Sequence, residues 1–181
     1  MYQRKRQILI LLCLIYWLGL LGCQSYQPQG TTVEIQRVLS GQTLEWTDKT
    51  KQPPTIQKVR LIGVQSPDWQ QQPWSGEAKI GLEKILGLDR GSQKQSAILE
   101  FDLEMEDTYG RGLAYVWKDG ILVNEQLVKQ GYVLAVSRSP NTKYEQRLAY
   151  AQDYARVMGL GIWQPDRPMR QTPAEFQRQK P

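Results

Sequence analysis

The chain contains no histidine, and this absence narrows the chemistry it can perform. Histidine bases, histidine zinc ligands and the Ser-His and Cys-His pairs of many hydrolases are all excluded. Any acid–base step must therefore use an aspartate, glutamate, lysine, arginine or tyrosine side chain.

Cysteine is also scarce, with two residues in the whole chain. Cys13 lies within an apolar run near the N-terminus, and Cys23 follows directly after that run. If the run is removed during export, Cys23 is left without a partner. We therefore expect no disulfide within the mature chain.

The excess of positive charge is smaller than the whole-chain total indicates. The sequence has 23 basic and 18 acidic residues, a net charge of +5. Three of the basic residues, Arg4, Lys5 and Arg6, precede the apolar run, so the remainder carries 20 basic against 18 acidic residues, or +2. A nearly balanced domain lacks the broad basic field of a strong non-specific DNA binder. Contact with nucleic acid would have to come from a few placed arginines.

The N-terminus has the pattern of an export signal. The apolar run from Ile8 to Leu21 is short for a spanning helix and follows basic residues, as in a signal peptide. It ends in Leu-Leu-Gly-Cys, which resembles the lipobox of bacterial lipoproteins. The resemblance implies cleavage before Cys23, lipidation of that residue and anchoring of an exported chain to a bacterial membrane, on its periplasmic or outer face. An uncleaved anchor helix is the alternative.

The composition divides the chain into four parts. We predict a signal peptide over residues 1–22, a polar tether over 23–31, a folded domain over 32–164 and a proline-rich tail over 165–181. The domain, of roughly 130 residues, is long enough for one sizeable core. Prolines and charges without apolar periodicity predict that the tail is disordered or draped over the surface.

Strand patterns dominate the first part of the domain. Alternating residues on either side of Ser40-Gly41 predict a hairpin, and residues 55–64 predict a third strand. Residues 96–103 and 111–117 predict the fourth and fifth strands, the last followed by an Asp-Gly turn.

Helical patterns occupy three other segments. Residues 75–87 predict a helix with Ser75 as its N-cap and Ile80 among its core positions. Two more are predicted over 121–131 and over 143–159, where Met158 belongs to the apolar spacing. This order predicts an α+β, mainly β fold: a five-stranded Greek-key OB-fold barrel with three helices.

Two arginines lie at strand positions beside polar loops. Arg60 lies in VRLIGVQSPDW and Arg111 in DTYGRGLAYVW. A planar guanidinium donates two parallel hydrogen bonds to phosphate oxygens and stays charged, so the pair indicates a phosphate site. Taken singly, Arg60 also fits a solvated strand edge and Arg111 an ordinary turn.

The segments VRLIGV, SPD, DTYGRGLAYVWKDGILVNEQLVKQG, YEQRL and GIW together resemble the staphylococcal-nuclease-like (thermonuclease) family, from about Val33 to Trp163. The resemblance implies an OB barrel with three helices, hydrolysis of DNA and RNA, and Ca²⁺ as cofactor. It places Arg60 and Arg111 at the two phosphate-clamp positions. It makes Tyr109 a substrate-binding residue, of which a half-buried strand-end aromatic is the alternative, and Asp107 an auxiliary acid beside the phosphate.

The same resemblance places uncharged residues where the family binds its metal. Ser40, Gln42 and Gln65 stand at positions of aspartates, and Asp68 stands at the position of the catalytic glutamate. Because Ca²⁺ affinity depends on the number of charged ligands, these replacements predict weak binding of the cation and slow hydrolysis. For Asp68, a plain ion pair with the arginines is the alternative.

Other acids could act as ligands if the register of the comparison were shifted. Glu45 and Asp48 lie on the second strand, and several acids lie between Asp102 and Asp107. Because successive strand residues point to opposite faces, we interpret the latter group as a solvated strand end.

Three functions are compatible with these patterns, and the fold alone does not decide among them. The first is an exported, lipid-anchored nuclease or phosphodiesterase of weak activity. The second is a non-catalytic OB-fold module that binds an oligonucleotide, a nucleotide or an acidic partner at the membrane surface. The third is a structural envelope protein. The resemblance favours the nuclease.

Overall fold

The computed structural model describes residues 28–90 and 94–179. The predicted signal peptide, Cys23 and the start of the tether lie outside these residues. None of the helices in the described ranges is long and apolar enough to cross a membrane.

Within residues 28–90 and 94–179, eight strands form the β structure, five of them long and three of two residues each. In chain order they are β1 (Thr31–Ser40), β2 (Thr43–Asp48), β3 (Thr55–Leu61), β4 (Val64–Gln65), β5 (Gln95–Glu106), β6 (Gly112–Lys118), β7 (Ile121–Leu122) and β8 (Leu134–Ala135).

The five long strands close into a barrel. Their sheet has the order β3-β2-β1-β5-β6-β7, and β3 also pairs in parallel with β6. Arg60 lies opposite Leu113 in that closing pair. The small strands β4 and β8 pair with each other beside the barrel. The predicted five-stranded barrel is therefore confirmed.

Strand β6 is buried on both faces, which explains its continuous apolar sequence. Ala114 and Val116 face the barrel core, whereas Leu113, Tyr115 and Trp117 belong to a second cluster outside the barrel. Tyr144, the N-cap of the helix that begins at Glu145, covers part of that second cluster because its ring packs edge-on against the Tyr115 and Trp117 rings.

In the part of the chain that the structure describes, four α-helices accompany the barrel: α1 (Trp74–Leu86), α2 (Val123–Lys129), α3 (Glu145–Val157) and α4 (Pro173–Arg178). The first three confirm the predicted helices. Short 3₁₀ turns follow α1 and α3, at Leu88–Arg90 and Gly161–Trp163.

The start of α1 corrects the predicted N-cap. The capping position is Pro73, and Ser75 lies inside the helix, where its hydroxyl donates to the Trp69 carbonyl at 3.2 Å. Two predicted core positions are also wrong. Ile80 on α1 is 61% exposed and Met158 after α3 is 55% exposed, since neighbouring buried residues already complete each apolar face.

The C-terminal segment, residues 164–179, lies over the surface of the domain, which is the second of the two forms that its composition indicates. It contains α4 and lies against the loop after β4. The local cause is a capping box: the Thr172 hydroxyl accepts from the Glu175 amide at 3.2 Å, and the Glu175 carboxylate accepts from the Thr172 amide at 2.7 Å. Pro173 occupies the start of the helix, where its missing N–H costs no hydrogen bond.

A buried carboxylate joins the second cluster to α3. Glu100 is 1% exposed and accepts hydrogen bonds from the Trp117 indole, the Tyr144 hydroxyl and the Lys143 ammonium. Burial alone would raise the pKa of this carboxyl, but the three donors and the lysine charge together lower it. The network therefore stabilises the fold in the charged form of Glu100.

The variant Glu100→Gln is expected to lower the free energy of unfolding by about 2 kcal/mol at pH 7, since it removes hydrogen bonds to a charged acceptor. The folded-state pKa lies below the ordinary 4.5, so this stabilisation is complete above that pH and is lost as pH falls through the folded-state pKa. Urea unfolding at pH 7 and pH 3 measures the difference, which should narrow at the lower pH. Glu104→Gln, at an exposed position, is the control. A difference independent of pH would contradict the assignment.

Candidate functional site

The closing pair of the barrel brings Arg60 and Arg111 together. Arg60 lies on β3, and Arg111 immediately precedes β6, whose first residue, Gly112, pairs with Val59. The parallel register therefore places Arg60 and Arg111 at the same end of the barrel.

Asp107 organises the loop that carries Arg111. One carboxylate oxygen accepts from the backbone amides of Tyr109 and Arg111 at 2.9 and 3.1 Å. The other accepts from Nε and Nη2 of Arg111 at 2.8 and 2.7 Å. Burial would raise the pKa of Asp107, but these bonds lower it, so the side chain stays charged and fixes the guanidinium. Asp107 is therefore a supporting acid.

Tyr109 lies on the surface beside this loop. It is 83% exposed, and the guanidinium carbon of Arg111 lies 5.3 Å from the centre of its ring. The half-buried aromatic that sequence allows as an alternative is thus not observed. An exposed ring next to a guanidinium group is a suitable stacking surface for a nucleotide base.

A third arginine, Arg138, completes a cluster that the sequence interpretation did not identify. Burial and the positive charges of Arg111 and Arg138 lower the pKa of Arg60, against an opposing effect of Asp107. Strand β8 positions Arg138, because the amide of Val136 donates to the Gly63 carbonyl at 3.0 Å. The positive charge of Arg138, three residues after β8, was the signal available in the sequence.

The turn between β1 and β2 carries the first two residues at family metal positions. The Gln42 side-chain oxygen accepts from the Ser66 amide at 2.7 Å, and its backbone carbonyl accepts from the Leu61 amide at 2.9 Å. A Cβ atom on Gly41 would lie 2.5 Å from the Ala78 Cβ atom, so the turn packs closely against α1. The Gln42 side chain thus joins the β1–β2 turn to the loop of Ser66. These two loops would face each other across a bound cation.

The donor set at these positions does not fit Ca²⁺. Ser40 and Gln65 supply neutral oxygens, and the Gln42 oxygen is already used by Ser66. Across residues 28–90 and 94–179, no three carboxylate or thiol side chains come together as metal ligands. Since Ca²⁺ prefers several charged oxygens, this arrangement lacks the ligands that the cation needs.

The two acids on β2 that were considered as ligands have partners elsewhere. Glu45 is 7% exposed and forms an ion pair with Arg37 at 2.6 Å. Asp48 accepts from the amide and hydroxyl of Thr50. A shift of register therefore does not produce a metal centre on β2.

Asp68 lies in the loop that follows β4, residues 66–73, called here the Asp68 loop. Its amide donates to the Gln71 side chain at 2.9 Å, and one carboxylate oxygen accepts from the Gln70 amide at 3.1 Å. The other oxygen accepts from the Gln177 side chain at 3.3 Å. The contacts of this acid thus include the C-terminal segment.

Comparison with known proteins agrees with this architecture. A family model described as "Staphylococcal nuclease homologue" matches residues 58–165. The chain belongs to the staphylococcal nuclease family. The match includes Arg60, Asp68, Asp107, Tyr109 and Arg111, so the arginine cluster lies within the family domain.

Relatives of this staphylococcal nuclease homologue include named nucleases. It is 34% identical over 137 residues to "Thermonuclease" of Staphylococcus hyicus, covering 73% of this chain and 75% of the relative. It is 35% identical over 145 residues to "Thermonuclease" of Staphylococcus intermedius, covering 77% and 80%. "Endonuclease YncB" of Bacillus subtilis (strain 168) is 29% identical over 144 residues, covering 76% and 64%. The family is thus one of nucleases.

Proposed function

We propose that this chain binds nucleic acid through its arginine cluster and hydrolyses phosphodiester bonds slowly. The observation that carries the proposal is the arginine cluster, in which Arg60 lies near the charges of Arg111, Arg138 and Asp107, and Asp107 forms an ion pair with Arg111. In the described part of the chain, no carboxylate forms an ion pair with Arg60. A phosphate would supply the missing negative charge.

The roles of the site residues follow from the charge that develops during hydrolysis. Water attacks phosphorus, a new P–O bond forms, the bond to the leaving oxygen breaks, and a proton of the water passes to Asp68. The guanidinium groups of Arg60 and Arg111 bind the phosphoryl oxygens as their negative charge increases. Tyr109 contributes the base-stacking surface.

Slow turnover follows from the replaced metal ligands. Ser40, Gln42 and Gln65 add no negative charge, and Gln42 is bonded within the protein. Without a firmly bound cation, the phosphoryl group is polarised by the arginines alone. Each missing electrostatic contact of this kind costs about 100-fold in rate.

A non-catalytic binding module is the second candidate. It is favoured by the contacts of Asp68, whose two carboxylate oxygens accept hydrogen bonds from Gln70 and Gln177. In that case the cleft holds an oligonucleotide, a nucleotide or an acidic partner without cleaving it.

A cleavage assay separates the two candidates. Residues 24–181 are incubated with a labelled oligonucleotide in Ca²⁺, Mg²⁺, Mn²⁺ or chelator, beside the variant Asp68→Asn. Slow cleavage that Asp68→Asn abolishes supports the enzyme; binding without cleavage supports the module. Rapid Ca²⁺-dependent cleavage by the unaltered chain would contradict our account of the metal positions.

We also propose that the domain is exported and held at a bacterial membrane through lipidated Cys23. The basic start, the apolar run and the Leu-Leu-Gly-Cys end support this. Substrate would then be nucleic acid outside the cytoplasm. Fractionation of cells that produce the full chain or Cys23→Ser tests the anchor, since the variant should leave the membrane fraction.

A further inference from the structure

The C-terminal segment is attached to the nuclease domain next to the candidate catalytic acid. Arg167 forms an ion pair with Glu77 of α1 at 2.6 Å, and its carbonyl accepts from the Trp74 indole at 3.3 Å. Pro173, at the start of α4, is buried. The segment is therefore fixed on both sides of Gln171, which reaches the Asp68 loop.

Gln71 links the acid to this segment through one buried amide. It is 5% exposed; its oxygen accepts from the Asp68 amide, and its nitrogen donates to the Gln171 carbonyl, both at 2.9 Å. Because a buried amide that loses a partner is strongly destabilised, the two bonds depend on each other. Displacement of Gln171 would thus disturb the backbone at Asp68.

Helix α4 adds a contact to the carboxylate itself. The Gln177 amide nitrogen lies 3.3 Å from the carboxylate oxygen that Gln70 does not contact. The capping box at Thr172 holds the start of α4 and so presents Gln177 towards Asp68. The acid is restrained from the Asp68 loop on one side and from the C-terminal segment on the other.

We propose that Gln71, supported by the docked C-terminal segment, is a positioning residue for Asp68. The inference rests on the proposed function, in which Asp68 accepts the proton from water. Small displacements of a reacting group lower rates greatly, so hydrolysis should require the segment to be docked. The opposite role, a segment that blocks Asp68, predicts faster hydrolysis when the segment is released.

Exchanging the charges of the exposed Arg167–Glu77 ion pair tests, in the full chain, whether docking of the C-terminal segment affects Asp68. Arg167→Glu faces Glu77 with a like charge and should release the segment; Arg167→Glu with Glu77→Arg should restore docking. Hydrogen exchange at the Asp68 amide should rise about tenfold in the single variant and return in the double variant. Arg156→Glu, which changes the same charge on α3, is the control and should leave that exchange unchanged.

The same variants give the kinetic result. Arg167→Glu should lower kcat about tenfold with KM and the unfolding midpoint nearly unchanged, and the exchanged pair should recover kcat. Unchanged amide exchange, unchanged kcat or a rise in kcat each overturns the proposal. If the unaltered chain cleaves nothing, the proposed function fails, and the exchange measurement alone decides whether the segment positions Asp68.

Discussion

The double variant Gln42→Asp with Gln65→Asp is expected to bind Ca²⁺ and to cleave nucleic acid about 100-fold faster in its presence than the unaltered chain. Two added carboxylates beside Asp68 raise the number of charged ligands, which is the main determinant of Ca²⁺ affinity. Aspartate at position 42 is also too short to keep the bond to the Ser66 amide, so its oxygens become available. Calorimetry with Ca²⁺ and an oligonucleotide cleavage assay measure the two effects.

The unfolding midpoint of the Gln42→Asp, Gln65→Asp variant gives an independent test of Ca²⁺ binding. Without Ca²⁺, the added negative charges repel one another and the turn at Gln42 loses its bond to Ser66, so the unfolding midpoint should fall. Saturating Ca²⁺ should recover it, because a ligand that binds the folded state stabilises that state. Gln146→Asp with Gln164→Asp adds the same charge at exposed positions and should show no response to Ca²⁺. A double variant indifferent to Ca²⁺ would falsify our assignment of the metal positions.

Arg60→Met is expected to weaken oligonucleotide binding about 100-fold while it stabilises the fold. The loss of affinity follows from removal of a half-buried, desolvated phosphate ligand. The gain in stability follows from the lowered pKa of Arg60: burial, Arg111 and Arg138 disfavour its charged form in the folded protein. At neutral pH the charge therefore costs stability, and an apolar side chain of similar length removes that cost.

Titration calorimetry and thermal unfolding report the two opposing effects. Arg60→Lys keeps the charge but loses the planar pair of donors, so it should recover only part of the affinity. Arg156→Met, on α3, removes one positive charge without changing the cluster. Equal losses of affinity in Arg60→Met and Arg156→Met would mean that net charge, and not the cluster, binds the phosphate.

The strands and turns of the barrel could be predicted from the sequence because each depends on residues that are close together along the chain. Alternating burial in β1 and the Asp119-Gly120 turn, with φ angles of 51° and 78°, are short-range features. The N-cap of α1 was missed because a serine near the start of a helical pattern has the same signature whether it caps the helix or lies inside it. Here the Ser75 hydroxyl donates a hydrogen bond to the Trp69 carbonyl and does not cap the helix.

The candidate site was less predictable because its contacts span long separations. The bond between Gln71 and Gln171 joins residues 100 positions apart, and that between Gln42 and Ser66 joins residues 24 apart. The sequence identifies Gln42 as an uncharged residue at a family metal position. It does not indicate that the Gln42 side chain forms a hydrogen bond to the loop that contains Ser66. Arg138 enters the cluster only through the pairing of β4 with β8.

The parallel pairing of β3 with β6 has a consequence for when binding activity arises. Val59 and Gly112 meet across that pair, more than 50 positions apart in sequence, and contacts of such separation form slowly. Arg60 lies on the β3 side of this pair, and Arg111 lies on the β6 side. In a chain that is still unfolded, the two arginines are far apart and the proposed phosphate site does not exist. On the proposed function, affinity for nucleic acid would therefore be acquired when the barrel closes.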